Sequence, residues 1–91
     1  MSHWMNKAFP ASGAEKKLLG YIPAPANCLP ASRLPSGPAL RGMVVFLWLV
    51  SGRGFWYRVE SIRDDMMTGY IFSSGWWYYL PVSRRQVRRY Y

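Results

Sequence analysis

The residues of this chain best suited to chemistry are aromatic and cationic. Trp76, Trp77, Tyr78 and Tyr79 stand in one unbroken block, and Arg84, Arg85, Arg88 and Arg89 follow within six residues. Trp and Tyr combine a large stiff apolar surface with a polar handle, which is the chemistry of binding hot spots. Arg presents a planar fork that fits carboxylate and phosphate. On a strand, alternate side chains face opposite sides. Trp76 and Tyr78 therefore share one face, and Trp77 and Tyr79 the other. A small core takes one of these pairs; the other must be covered by the rest of the chain, buried in a protein partner, or stacked on the bases of a single-stranded nucleic acid. The four arginines read as a solvated tail, a contact with an acidic neighbouring subunit, or a phosphate contact.

Groups for covalent or acid–base work are sparse. The chain has one Cys (Cys28) and one His (His3). An internal disulfide is excluded, and so are ordinary four-ligand zinc sets. Adjacent carboxylates at Asp64-Asp65 read as turn formers rather than a catalytic pair. Glu60 shares a strand face with Arg58, so an ion pair between them is expected rather than a general base. No glycine-rich phosphate loop or metal spacing occurs. The expectation is a protein that is not an enzyme and needs no cofactor or metal.

These side chains must be positioned by elements, and the sequence changes character at Arg41-Gly42. Before it, Pro10, Pro23, Pro25, Pro30, Pro35 and Pro38 punctuate the chain; after it come the blocks MVVFLWLV, FWYRVESIR, MMTGYIF and WWYYLPV. Residues 1–41 are expected to form an extended proline-rich arm and residues 42–91 a small β domain. A helical turn or two is expected over Ala14–Leu19, with Ser12 as N-cap and Gly20 as stop. Prolines forbid helix interior and central strand over 21–41, so that stretch is expected to run extended, partly as polyproline II. Its apolar residues, Tyr21, Ile22, Leu29, Leu34 and Leu40, are spaced singly, as anchors on a surface would be.

From Gly42 the pattern predicts strands at Met43–Val50, Phe55–Arg63, Met66–Phe72 and Trp76–Leu80, with a fifth over Gln86–Tyr91. Turns are expected at Ser51–Gly54, Asp64-Asp65 and Ser73–Gly75, and a 3₁₀ turn at Pro81–Arg85. Phe55, Tyr57, Val59 and Ser61 should share one face, and Trp56, Arg58, Glu60 and Ile62 the other. Gly69 marks a bulge or a close backbone approach. At about fifty residues such a domain has marginal stability on its own.

Net charge is +8, from twelve Lys/Arg against four Asp/Glu. The excess is shared between the two parts and favours anionic partners. The longest apolar run, Met43–Val50, has eight residues; a membrane-spanning helix needs about 20. No apolar core of a secretory signal is visible near the N-terminus. No membrane span and no secretion by a signal peptide are expected.

Residues 42–90 resemble the SH3-like and Tudor-type group of small β barrels. The likeness rests on Gly42-Met43-Val44-Val45, Trp56-Tyr57-Arg58-Val59, Ser74-Gly75, Leu80-Pro81-Val82 and Arg88-Arg89. It implies a five-stranded barrel with a 3₁₀ turn before its last strand. The chain departs from the Tudor pattern at Ser73-Ser74-Gly75, where that group carries an acidic-aromatic-glycine turn; a methyl-ligand cage is therefore not implied. A fold by itself assigns no activity.

The function expected is a structural or accessory subunit of a large assembly, with a bacteriophage particle favoured. It would sit in a virion or the host cytoplasm, in multiple copies, docking by its arm and the aromatic face of the barrel. Trp56, Trp76, Trp77, Tyr78, Tyr79, Tyr21, Ile22, Leu29 and Leu34 are the expected partner-binding residues. The alternatives are a nucleic-acid or ribonucleoprotein-binding module using Arg84, Arg85, Arg88 and Arg89, or a small inhibitor of a host enzyme.

Overall fold

A computed structural model describes residues 8–35 and 37–91; His3 lies outside them. The chain is mainly β. Among the described residues the strands form one antiparallel sheet of eight strands, three of them only two residues long, with one short α-helix. In chain order these are β1 (Phe9–Pro10), α1 (Gly13–Leu18), β2 (Leu29–Pro30), β3 (Val44–Leu49), β4 (Gly54–Arg63), β5 (Met66–Ser73), β6 (Trp76–Tyr79), β7 (Val82–Ser83) and β8 (Val87–Tyr90). The order across the sheet is β1-β6-β5-β4-β3-β8-β2, with β7 paired to β5.

Each long strand ends where its residues dictate. Ser74 and Gly75 take φ of 53° and 84°, so the turn from β5 to β6 has consecutive left-handed residues. That matches the right-handed twist of a tight hairpin. Ser83 caps a 3₁₀ turn over Arg84–Gln86, with the Gln86 side chain bonding back to the Ser83 N–H. This turn places Arg84 and Arg85 outside strand geometry, so the alternating faces expected for the tail begin only at β8.

Opposite Gly69 the register slips between Val59 and Ser61. The extra residue is therefore Glu60 on β4, and Gly69 supplies the close approach. A Cβ on Gly69 would sit 2.0 Å from the Arg58 carbonyl oxygen. The slip also reverses the phase of β4: Ile62, expected on the face away from Tyr57, packs against the core instead.

One face of the sheet carries that core. Val45, Leu47, Phe55, Tyr57, Val59, Met67, Val82 and Val87 are buried in it together with Leu34 and Leu40. The core thus recruits two residues from before the composition break at 41/42. Tyr57 sits there fully buried, its hydroxyl 2.6 Å from the Leu80 carbonyl. Burial pushes that phenol's pKa up.

Residues 21–41 do not run extended throughout. Three 3₁₀ turns, at Pro25–Asn27, Ala31–Arg33 and Gly37–Leu40, break the path around β2. Proline's fixed φ suits the first position of a helical turn as well as an extended chain, and Pro25 takes that position. Helix α1 starts one residue earlier than expected. Its Ser12 cap holds as a complete capping box with Glu15.

Candidate functional site

The other face of the sheet is aromatic from end to end. Cross-strand register places Arg58, Tyr70 and Tyr79 in one row, and Phe72 opposite Trp77. It places Phe46 opposite Trp56, and Trp48 opposite both Gly54 and Arg89. Tyr91 exchanges backbone hydrogen bonds with Phe46 and joins the same face. Rings meet along it: Phe46 lies 5.2 Å from Trp48 and 5.3 Å from Trp56, and Phe72 lies 5.5 Å from Trp77. Soluble domains rarely leave such a face in water, and here the N-terminal segment crosses it.

That segment crosses the sheet as a strap, from the β6 edge to the β8 edge. It begins at β1, where Phe9 pairs with Trp77 and Pro10 with Trp76. The Ala11 N–H donates to the Gly75 carbonyl at 2.8 Å. Glu15 then ion-pairs with Arg58 and accepts the Trp77 indole N–H at 3.4 Å. The Arg58 guanidinium lies 4.5 Å over the Trp77 ring in a cation–π contact. The Ser12 backbone N–H, with help from the Trp77 indole and Arg58, holds the Glu15 carboxyl below its usual range, although burial opposes it. Arg58's acidic partner is therefore Glu15 of the strap, not Glu60 of its own strand.

Further along, the sheet grips the strap's main chain. The Trp56 indole donates to the Tyr21 carbonyl at 2.9 Å, and the Trp48 indole to the Pro23 carbonyl at 3.0 Å. Arg89 donates to the Cys28 carbonyl at 3.3 Å, and the Tyr90 hydroxyl to the Arg33 carbonyl at 2.9 Å. Arg84 spans two carbonyls, Pro35 at 3.0 Å and Leu34 at 3.1 Å. At the far edge, β2 pairs Leu29 with Tyr90 and Pro30 with Arg89. The chemistry follows from composition. Each proline removes a backbone N–H and keeps its carbonyl, so the strap is rich in acceptors and poor in donors. A surface that holds it must donate, and Trp, Arg and Tyr side chains are donors with reach.

Several residues singled out by sequence are taken up in this clasp. Trp77 is fully buried beneath the strap. Trp56, Arg84 and Arg89 hold strap carbonyls, and Arg85 pairs with Asp65 at 3.2 Å at an exposed position. Arg88 is exposed and lines a surface pocket of about 330 Å³ with Pro25, Trp48, Leu49, Gly52 and Arg89. Trp76 and Tyr78 remain 44% and 42% exposed on the opposite face of β6. Tyr79 is half-buried in the strap-side row. Of the strap's expected anchors, Leu34 is buried in the core, while Tyr21, Ile22 and Leu29 are exposed. The small strap residues Ala11, Pro23 and Cys28 are buried and were not singled out as strap anchors by sequence. Trp48, Arg58 and Tyr90 were also missed as strap contacts. The excess of carbonyls over N–H groups was the signal available for finding donors of this kind.

Among the described residues no group of three or more His, Cys, Asp or Glu is arranged to hold a metal. No helix among them is long and apolar enough to cross a membrane. Comparison with family models, curated proteins and solved structures finds no match for this chain.

Proposed function

We propose that this protein is a non-enzymatic accessory subunit of a large assembly, with a bacteriophage particle the favoured setting, and that its proline-rich N-terminal segment is the docking element. The observation that supports this is the row of side-chain donors aimed at backbone carbonyls of residues 21–35. A surface of this kind recognises an extended chain by its main chain, which suits a tether more than a substrate. The ladder order β6-β5-β4-β3-β8, with a 3₁₀ turn before the last strand, supports reading the five longer strands as an SH3-like barrel.

Three of the four tail arginines have partners within the chain. This weights the reading toward protein assembly and away from phosphate binding. Limited proteolysis tests it. In the purified chain, residues 8–35 should be cut well before the sheet, because their ladders are two residues long. Within the particle they should be protected. Equal rates of cutting in both states would overturn the proposal.

A further inference from the structure

We propose that the pocket between the strap and the β3–β8 pair binds an acidic segment of a neighbouring protein subunit. One carboxylate would sit on Arg88 and Arg89, and the apolar side chain beside it on Trp48 and Pro25. This rests on the assembly reading above and names the chemistry of the partner.

The pocket holds about 330 Å³ and is complete only with the strap seated. Pro25, from the 3₁₀ turn Pro25–Asn27, forms one wall; Trp48 and Leu49 of β3 and Arg88 and Arg89 of β8 form the others. Strict strand alternation would send two consecutive arginines to opposite faces. They share this cavity because the ladder slips there. Trp48 is opposite Arg89 and Leu49 is opposite Val87, so Arg88 is an extra residue on β8. A bulge of this kind re-aims a side chain. Two guanidinium groups lining one cavity repel each other, and a shared anion relieves that repulsion.

The chain itself does not supply the anion. Its four acidic residues lie elsewhere: Glu15 on Arg58, Glu60 at the slip in β4, and Asp64 and Asp65 in the turn from β4 to β5. Among the described residues the Arg88 guanidinium has no hydrogen bond or ion pair. Arg89 donates from one terminal nitrogen to the Cys28 carbonyl, which leaves it further N–H groups. Both can donate to a carboxylate.

The remaining walls are apolar, so a bare inorganic anion would leave them uncovered. A nucleic-acid strand would need an open ring face and a track of cations. Trp48 does not offer such a face. Its ring packs 5.2 Å from Phe46, its indole is held by the Pro23 carbonyl, and a Cβ on Gly54 would lie 2.7 Å from it. Arg84 and Arg85, which would extend a track, are engaged by strap carbonyls and by Asp65. A carboxylate with an apolar neighbour on a peptide fits the cavity better than a polyphosphate.

An NMR titration of the full isotope-labelled chain tests this. The probe is a short peptide of alternating Glu and Phe, compared with the same peptide carrying Gln for Glu and with oligothymidylate. The Trp48 indole N–H and the Arg88 and Arg89 side-chain N–H signals should shift with the Glu peptide and not with the Gln peptide. Arg88→Gln should weaken binding about tenfold. Arg63→Gln, which removes the same charge from an exposed position at the far end of β4, should stay within about twofold of the unmodified chain. Arg88 is exposed and holds no strap carbonyl, so its replacement leaves the fold intact; unchanged backbone signals away from the pocket check this. No shift of these side-chain signals at millimolar Glu peptide overturns the proposal. So does an equal response to the Gln peptide, an equal loss in the two variants, or tighter binding of oligothymidylate. Each of these negatives leaves the accessory-subunit reading standing, since that is decided by protection of the strap within the particle.

Discussion

At the scale of residues, single hydrogen-bond donors hold the strap, and each can be removed without removing its ring. Trp56→Phe keeps most of the aromatic contact with Phe46 and Tyr91 but deletes the bond to the Tyr21 carbonyl. A neutral bond of this kind contributes about 1 kcal/mol. Backbone amides of residues 19–24 should therefore exchange with solvent about fivefold faster in that variant. Trp76→Phe, whose ring lies on the opposite face and holds no strap carbonyl, should leave them unchanged. Equal acceleration in both variants would refute the assignment. Glu15 makes the strap sensitive to acid. Its carboxyl is held below the ordinary range, mainly by the Ser12 backbone N–H. Its contribution to stability is therefore present above the ordinary carboxylate pKa and is lost as pH falls through the lowered one. Lowering pH from neutral to below that value should reduce the protection of the Ala11 and α1 amides relative to their intrinsic exchange rates at each pH. Glu15→Gln should show the reduced protection already at neutral pH and lose the acid-dependent step. An unchanged pH profile in Glu15→Gln would assign the effect to another group.

At the scale of elements, the turns and strand limits were legible because their signals are local. The hairpin at Ser73–Gly75, the cap at Ser12 and the 3₁₀ turn before β8 each depend on a few neighbouring residues; sequence placed the first two where they form, but the 3₁₀ turn expected at Pro81–Arg85 forms at Arg84–Gln86, after the two-residue strand β7. Phase along β4 was not legible. The register slip at Glu60 depends on β5 lying beside it, and a period-two reading of β4 alone carries Ile62 to the wrong face. Gly69 was readable as special, but the strand bearing the extra residue was not. Gly69→Ala tests that close approach. Its methyl would lie 2.0 Å from a backbone oxygen that cannot move independently, so the cost should be about 3 kcal/mol. A melting temperature within a degree or two of the wild type's would show that the strands separate there easily. The arginine tail illustrates the same limit: read as extended, it offered four outward cations, but the 3₁₀ turn and β8 turn Arg84 and Arg89 inward onto carbonyls.

At the scale of the whole molecule, the sheet is sandwiched between a core and a strap, and the N-terminal segment contributes to both. Leu34 and Leu40 belong to the core, and residues 9–28 cover the opposite face. Leu40→Ala should cost about 2–5 kcal/mol in chemical denaturation, as for a fully buried leucine. Leu18→Ala, at a position 74% exposed, should stay within about 0.5 kcal/mol of wild type. Comparable effects for the two would mean that the core ends at Gly42, as composition alone implies. The mainly-β class and the order of the five longer strands with their hairpin turns follow from glycine and the β-branched and aromatic blocks, because these act on neighbouring backbone; the two-residue strands β1, β2 and β7 and the 3₁₀ turns of residues 25–40 were not read from sequence. That one tryptophan pair must leave the core follows from strand alternation alone. The expectation that the core takes the other pair does not hold: Trp77 and Tyr79 lie on the strap face, Trp76 and Tyr78 stay exposed, and neither pair joins the core cluster; what covers Trp77 was decided by tertiary structure. Sheet register sets Trp77 in a row with Phe72 and beside Arg58, and the strap brings Glu15 to that row from 43 residues away in the chain. No local preference encodes a contact at such a separation; it forms only when both faces of the assembled sheet compete for the apolar and acceptor groups that remain.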